Sequence, residues 1–283
     1  MAPQPAAEIT LTVEDVDRLL AAQHPSLRAP IRTFSHGWDN DLFRLGEDLV
    51  VRFPRREAAA QLIVHEQRWL PELARMLPVP IPVPVAVGVP AGDFPWHWSV
   101  APWFDGVRSM DLTVAERDAL AVPLAETLQA LHVPAPPDAP RNPVRGVPLR
   151  ERDDAVRERV RARPQLAGIW EEAVAAPDWA GPRVWVHGDV HTANLIVRDG
   201  RLSALIDFGD LNGGDPACDL AIAWTAFTSG GAERFREAMG PRYDEATWMR
   251  ARGWAVSVAT LMLDSPDPGM RAMAVHAVER LLA

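Results

Sequence analysis

The period of the apolar positions changes about a third of the way along the chain. From Ile31 to Pro54, the run IRTFSHGWDNDLFRLGEDLVVRFP carries short apolar bursts interrupted by turn formers near His36-Gly37 and Gly46–Asp48, which predicts three short strands joined by tight turns. Ahead of it, TVEDVDRLLAAQ sets apolar residues at helical spacing behind a Thr12–Asp15 capping pair and predicts a short helix. After it, REAAAQLIVHEQRWLPELARML is helical by pattern, with Pro71 as a kink or a restart. VPIPVPVAVGVP is expected to be extended, because each proline biases its predecessor toward β or polyproline geometry, and WHWSVAPWF has the composition of a strand that completes a sheet.

From Thr113 the texture becomes helical. TVAERDALAVPLAETLQALH opens on a Thr113–Glu116 capping box, residues 134–148 (PAPPDAPRNPVRGVP) read as a proline-rich surface connection, and RERDDAVRERVRAR reads as a charged helix with a solvated face. RVWVHGD and NLIVRDGRLSALIDF then place a hairpin with an Asp199-Gly200 turn inside a helical remainder. The expected architecture is α+β in two lobes split near residues 103–106: 1–104 strand-rich, 105–283 mainly helical.

Composition narrows the classes. The net charge of −9 opposes a general nucleic-acid binder, which must neutralise phosphates. The single Cys218 forms no internal disulfide, the N-terminal residues lack the basic and apolar regions of a secretory signal, and no apolar run is long enough to span a bilayer. A soluble, cytoplasmic protein with no membrane partner is expected. Lysine is absent, so every fixed side-chain cation is an arginine.

The densest chemistry lies in VWVHGDVHTANLIV, where apolar runs flank His187, Asp189, His191 and Asn194. Asn194 follows Asp189 by five positions, and Asp207 in LIDFGD follows Asn194 by thirteen. A hairpin brings its two ends together, so Asn194 and Asp207 should face one place. Phosphoryl transfer needs that set: Mg²⁺ takes oxygen ligands from one or two side chains plus phosphates, and a further carboxylate orients the acceptor hydroxyl. The competing metallohydrolase reading of His-x-Asp-x-His lacks the H-x-H-x-D-H pattern it needs.

HGDVHTANLIV, followed by LIDFGDLNGGDPACDLA, resembles the aminoglycoside phosphotransferase family of small-molecule kinases, and the likeness extends through LVVRFPRR, HEQRWLPELA and LAETLQALH. The resemblance implies a protein-kinase-like bilobal fold, with a five-stranded antiparallel N-lobe, a helical C-lobe and the active site between them. It implies Asp189 as catalytic base, Asn194 and Asp207 as Mg²⁺ ligands, His187 and Gly188 as shapers of the loop, and Asp219 as its brace. Arg52 stands where kinases carry a phosphate-contacting lysine, and Glu66 would pair with it. Ser35, His36 and Gly37 are placed over the phosphates of ATP or GTP, although the segment has no G-x-G-x-x-G, and Ala101 to Trp103 at the hinge for the base.

The implied acceptor is a cationic, hydroxylated aminosugar of the aminoglycoside type. Asp210, Asp215, Asp244, Glu245, Asp264, Asp267 and Glu279 are candidate contacts for it. A macrolide would instead need an apolar cleft, for which Trp248, Met249, Trp254, Met262 and Met270 are candidates. Choline, a sugar or an amino-acid derivative would also offer a hydroxyl to such an enzyme, and a nucleotide-binding pseudokinase would use the fold without the chemistry.

Overall fold

The computed structural model describes residues 6–283, and the side chain of His36 lies outside that description. Two compact units emerge. One comprises the described residues up to Arg75 together with Ile81–Asp105, the other Met76–Pro80 together with Gly106–Ala283.

In the first unit, helix α1 (Val13–Gln23) starts at the Thr12–Asp15 capping box and is followed by β1 (Ile31–His36), β2 (Asn40–Leu45) and β3 (Leu49–Pro54). Helix α2 (Glu57–Leu73) and strands β4 (Ala86–Gly88) and β5 (Trp98–Pro102) complete it, and the sheet is antiparallel in the order β1-β2-β3-β5-β4. Helix α2 runs through Pro71 rather than restarting there; only the last turn lies beyond it, so the cost is one missing helical hydrogen bond.

Register sorts the side chains of this sheet. Leu42 lies opposite Arg52, Arg44 opposite Val50, Val50 opposite Ala101 and Arg52 opposite Ser99, so these residues share one face. Phe43, Leu45, Val51, Phe53, Trp98 and Val100 fall on the other, where they pack with Val16, Leu19 and Leu20 of α1. Phe53 stacks on Trp98 at 5.0 Å, both fully buried, and side chains of this size contribute about 1.5–3 kcal/mol each. A Cβ on Gly88 would sit 1.8 Å from the Trp98 ring, so β4 reaches β5 only because that position is glycine.

The second unit begins with β6 (Val107–Arg108), α3 (Val114–Arg117) and α4 (Ala121–Leu131). The expected continuous helix is broken by a 3₁₀ turn over Asp118–Leu120. Pro123 explains the break: it is tolerated in the first turn of a new helix and not in the interior of an old one. Helices α5 (Asp153–Val160) and α6 (Ala167–Ala175) precede β7 (Val184–Val186), β8 (Leu195–Arg198), β9 (Arg201–Leu205) and β10 (Asn212–Gly214). Then come α7 (Ala217–Leu220), α8 (Ile222–Thr225), α9 (Ser229–Met239), α10 (Glu245–Met262) and α11 (Pro268–Leu282). Helix α10, with Trp254 fully buried, packs against α6, α7 and α11. Helix α5 is charged outside but buries Val156 and Val160.

Two local features position the chemistry. The β8–β9 hairpin turns at Asp199 (φ 52°) and Gly200 (φ 71°), the left-handed pair of a type I′ turn. Residues 134–148 are not a surface connection: Ala139, Pro140 and Gly146 are buried, and the carbonyls of Pro140 and Gly146 accept the N–H groups of Gly213 (3.0 Å) and Asp215 (2.8 Å). Proline content suggested exposure because prolines donate no hydrogen bond, but their carbonyls still accept.

Candidate active site

In the second unit, β7 delivers the chain to His187, Gly188 and Asp189. Asp219, in α7 and fully buried, braces this turn: its Oδ2 accepts from the His187 N–H at 2.7 Å and its Oδ1 from the Gly188 N–H at 2.8 Å. His132 Nε2 reaches the same Oδ2 at 3.1 Å, and Tyr243 Oη lies 2.8 Å from His132 Nδ1. His187 Nδ1 accepts from the Asp189 N–H at 3.2 Å, so its Nε2 is the protonated nitrogen and donates to the Ile206 carbonyl at 3.0 Å. Gly188 sits at φ 86°, and a Cβ there would lie 2.5 Å from the Asp210 carbonyl oxygen, so the turn demands glycine twice over.

Hairpin register joins the other two residues. Leu195 pairs with Leu205, and the Ile206 N–H donates to the Asn194 carbonyl at 3.0 Å, so Asn194 and Asp207 leave the same open end of the hairpin. Asn194 Nδ2 donates to the Asp189 carbonyl at 3.0 Å, which turns Oδ1 away as the free ligand end. Asp207 is exposed, holds φ 63°, and makes no hydrogen bond or ion pair with any described residue. One amide oxygen and one unengaged carboxylate fit Mg²⁺, which completes its shell with water and phosphate oxygens. No group of three or more His, Cys, Asp or Glu among the described residues is placed to hold a metal ion.

Both oxygens of the half-buried Asp189 have nitrogen partners, His191 and the Arg145 guanidinium. His191 Nε2 is 3.2 Å from Oδ2, and Arg145 Nη2 is 3.4 Å from Oδ1. Burial opposes charge on Asp189, yet His191 and Arg145 outweigh it and hold the carboxyl well below its ordinary range. His191 is buried as well, and the Asp189 charge beside it raises its affinity for a proton. Arg145 also lies 3.3 Å from Asp210 Oδ2 through Nε, and Asn142 Nδ2 donates to Asp210 Oδ1 at 2.7 Å. Burial and the nearby Asp189 push the Asp210 carboxyl up, against the pull of Arg145. Sequence reasoning missed Arg145 and Asn142 because both sit in the proline-rich segment. Arg145 lines a cavity of about 520 Å³ with Arg141, Asn142, Arg183 and Asn212.

In the first unit, Arg52 of β3 and Glu66 of α2 form a buried bidentate pair at 2.7 and 3.1 Å. Gly37 turns β1 into β2, its N–H donating to the Asn40 carbonyl at 2.8 Å; a Cβ there would meet only that oxygen, at 3.7 Å, so the fold itself does not demand glycine. Ser35 is exposed beside a bulge in β1, and the His36 side chain lies outside the described residues. Ala101 is buried opposite Val50. The Trp103 ring carries the Arg44 guanidinium at 3.8 Å and meets Phe34 edge-on at 4.9 Å.

Several carboxylates considered for a cationic acceptor have partners within the protein. Asp215 is buried against Arg250 at 2.7 Å, Asp244 and Asp267 cap α10 and α11, and Glu245 and Asp264 pair with Arg236 and Arg163. Glu279 is exposed on α11. Of the apolar candidates, Trp248 and Trp254 belong to the core, Met262 and Met270 are half-buried, and Met249 is exposed. No helix among the described residues is long and apolar enough to cross a membrane.

No curated protein sequence matches the chain. Among solved structures, it is similar to the GDP complex of wild-type aminoglycoside 2'-phosphotransferase-IIIa, with a TM-score of 0.69 and 18% identity over 96% of this chain and 99% of that one. The streptomycin-ATP-APH(2")-IIa ternary complex gives 0.63 and 22% over 94% and 95%. Macrolide 2'-phosphotransferase MphH from Brachybacterium faecium gives 0.61 and 23% over 92% and 97%. At these identities the likeness establishes the fold, kinase-like α+β. The model of the phosphotransferase enzyme family matches residues 30–254, from the start of the sheet to the middle of α10, and the chain belongs to that family.

Proposed function

We propose that this protein transfers the γ-phosphoryl group of ATP or GTP to a hydroxyl of a small molecule. The observation that carries the reading is the disposition of Asp189, Asn194 and Asp207 around one braced loop and one hairpin end, with Asp207 left unengaged by any described hydrogen bond or ion pair. Mg²⁺ bound by Asn194 Oδ1 and Asp207 would neutralise charge on the transferring group. Asp189 would orient the acceptor hydroxyl and take its proton. Its depressed basicity suits a loose transition state, in which the hydroxyl loses its proton late and positioning matters more than base strength. Arg52, fixed by Glu66, would contact the nucleotide phosphates, with Ser35, His36 and Gly37 over them and Ala101 to Trp103 beside the base. A pseudokinase has no need of a braced Asp189, and the bracing favours catalysis.

The acceptor class we propose is an aminoglycoside-type aminosugar. Its support is the likeness to aminoglycoside phosphotransferases. Nucleotide consumption with Mg²⁺, measured across aminoglycosides, a macrolide, choline and uncharged sugars, tests both levels. Turnover with an aminoglycoside is expected. Turnover only with a macrolide or an uncharged sugar overturns the acceptor class, and no turnover with any acceptor overturns the enzyme.

A further inference from the structure

Residues 142–148 are built to present one side chain. Asn142 Oδ1 accepts from the N–H groups of Val144 (2.9 Å) and Arg145 (3.1 Å). Gly146 turns the chain at φ 63°, where a Cβ would lie 2.9 Å from Asn212 Oδ1 and 3.2 Å from Gly214 Cα, so only glycine permits this approach. The outcome is the Arg145 guanidinium between two carboxylates, Asp189 and Asp210, at 3.4 and 3.3 Å. A cation between two carboxylates relieves the repulsion that would otherwise favour protonation of one of them.

The quality of these contacts matters. Arg52–Glu66 and Arg250–Asp215 close to 2.7 Å with aligned hydrogen bonds, as expected of ion pairs that hold a fold. Arg145 sits at the long end of the range, and its Nε is buried without a hydrogen-bond partner. Arg145 therefore balances charge without being locked in place. Of the carboxylates lining the neighbouring cavity, Asp215 is committed to Arg250 and Asp178 to Arg150, whereas Glu151 is exposed; Arg141 and Arg183 also line it.

We propose that Arg145 is a specificity-determining residue of the acceptor site, a tethered cation that fills the place between Asp189 and Asp210 that an acceptor's ammonium group would otherwise take. A neutral hydroxyl approaches Asp189 past it without penalty, whereas an ammonium group meets carboxylates that are already matched. The inference rests on the phosphotransferase reading only in treating Asp189 as the acceptor-facing group. It places the acceptor's own charges away from this pair.

Calorimetric binding of kanamycin, an aminosugar polycation, to the full chain tests it without requiring turnover. Arg145→Ala should bind kanamycin several-fold more tightly than the unsubstituted protein, up to about fivefold for an ion-pair contribution of about 1 kcal/mol. That gain should shrink as salt is added. Asp210→Asn in the Arg145→Ala background should cancel it, and Arg145→Lys, which keeps the charge, should bind like the parent. A purely structural role cannot tighten cation binding. Kanamycin binding that is unchanged or weaker in Arg145→Ala overturns the proposal, as does a gain that survives Asp210→Asn. Should Arg145→Ala fail to fold, Asp210→Asn alone in the otherwise unaltered protein should weaken kanamycin binding several-fold, and unchanged affinity there overturns the proposal equally. Phosphorylation absent from every variant while the binding gain is intact would count against the enzyme reading and leave this one standing.

Discussion

Replacing Asp219 by asparagine should damage the His187–Asp189 loop from beneath while leaving its chemical groups in place. The carboxylate takes three hydrogen bonds in a fully buried position: from the His187 N–H (2.7 Å), the Gly188 N–H (2.8 Å) and His132 Nε2 (3.1 Å). Asparagine keeps one acceptor oxygen and points an NH₂ at the remaining donors, so at least one buried N–H is orphaned. Such a group costs about 1–3 kcal/mol, so Asp219→Asn should lose about 1–3 kcal/mol and Asp219→Ala, which orphans three donors, about 3–9 kcal/mol. Against a typical total of about 5–15 kcal/mol, the alanine variant approaches unfolding. Urea denaturation should show a lower midpoint with an unchanged slope, and turnover in the folded asparagine variant should fall because Gly188 no longer fixes Asp189. An Asp219→Asn protein within about 0.5 kcal/mol of the parent, with unaltered turnover, would refute the bracing role.

Three further outcomes are expected. Arg52→Ala leaves Glu66 buried without its bidentate partner and should cost about 3–5 kcal/mol in a denaturation experiment, whereas Glu66→Gln together with Arg52→Met should recover much of that while still impairing nucleotide use. Asp207→Asn should change stability by no more than about 0.5 kcal/mol, since asparagine also tolerates φ 63° and no described hydrogen bond or ion pair is lost, yet Mg-nucleotide turnover should collapse; intact turnover would remove Asp207 from the metal site. At high pH, burial pushes the Tyr243 hydroxyl up to about 12 from 10.0, and pushes the Cys218 thiol up as well. Both groups favour the folded state only while protonated, so the Tyr243 contribution is whole below about pH 10 and is lost as pH rises through about 12. With no lysine in the chain, the urea midpoint should hold to about pH 9 and then fall, with a delayed tyrosinate absorbance in the native protein; a midpoint flat to pH 11 would contradict the burial argument.

What could be read from the sequence followed from local signals. The Thr12–Asp15 and Thr113–Glu116 capping boxes and the Asp199-Gly200 turn were legible because the residues that form them are neighbours in the chain. The pairing of Asn194 with the region of Asp207 was legible because a hairpin of known turn fixes its own ends. The break at Asp118–Leu120 was missed although Pro123 announces it, because the apolar period continues across the break. Arg145 was hidden for a different reason. Its meaning depends on Asp189 and Asp210, 44 and 65 positions away, and the only local cues are an asparagine able to cap the turn and the glycine after the arginine. The acidic residues of the C-terminal helices misled in the opposite direction: Asp244 and Asp267 look like a charged lining in sequence and are helix caps in three dimensions.

The central claim is that Asp189 directs phosphoryl transfer to a hydroxyl, and one comparison tests it most directly. The full chain and its Asp189→Asn variant, matched for fold by circular dichroism and for nucleotide affinity, are incubated with Mg²⁺, ATP or GTP and an acceptor that the unsubstituted protein turns over. The phosphate ester formed is followed by phosphorus NMR and mass spectrometry. The account predicts an O-phosphorylated acceptor from the parent and a rate lower by about 10²–10⁴-fold in the variant, with nucleotide binding retained. Ester formation by Asp189→Asn at a rate close to the parent's would contradict it.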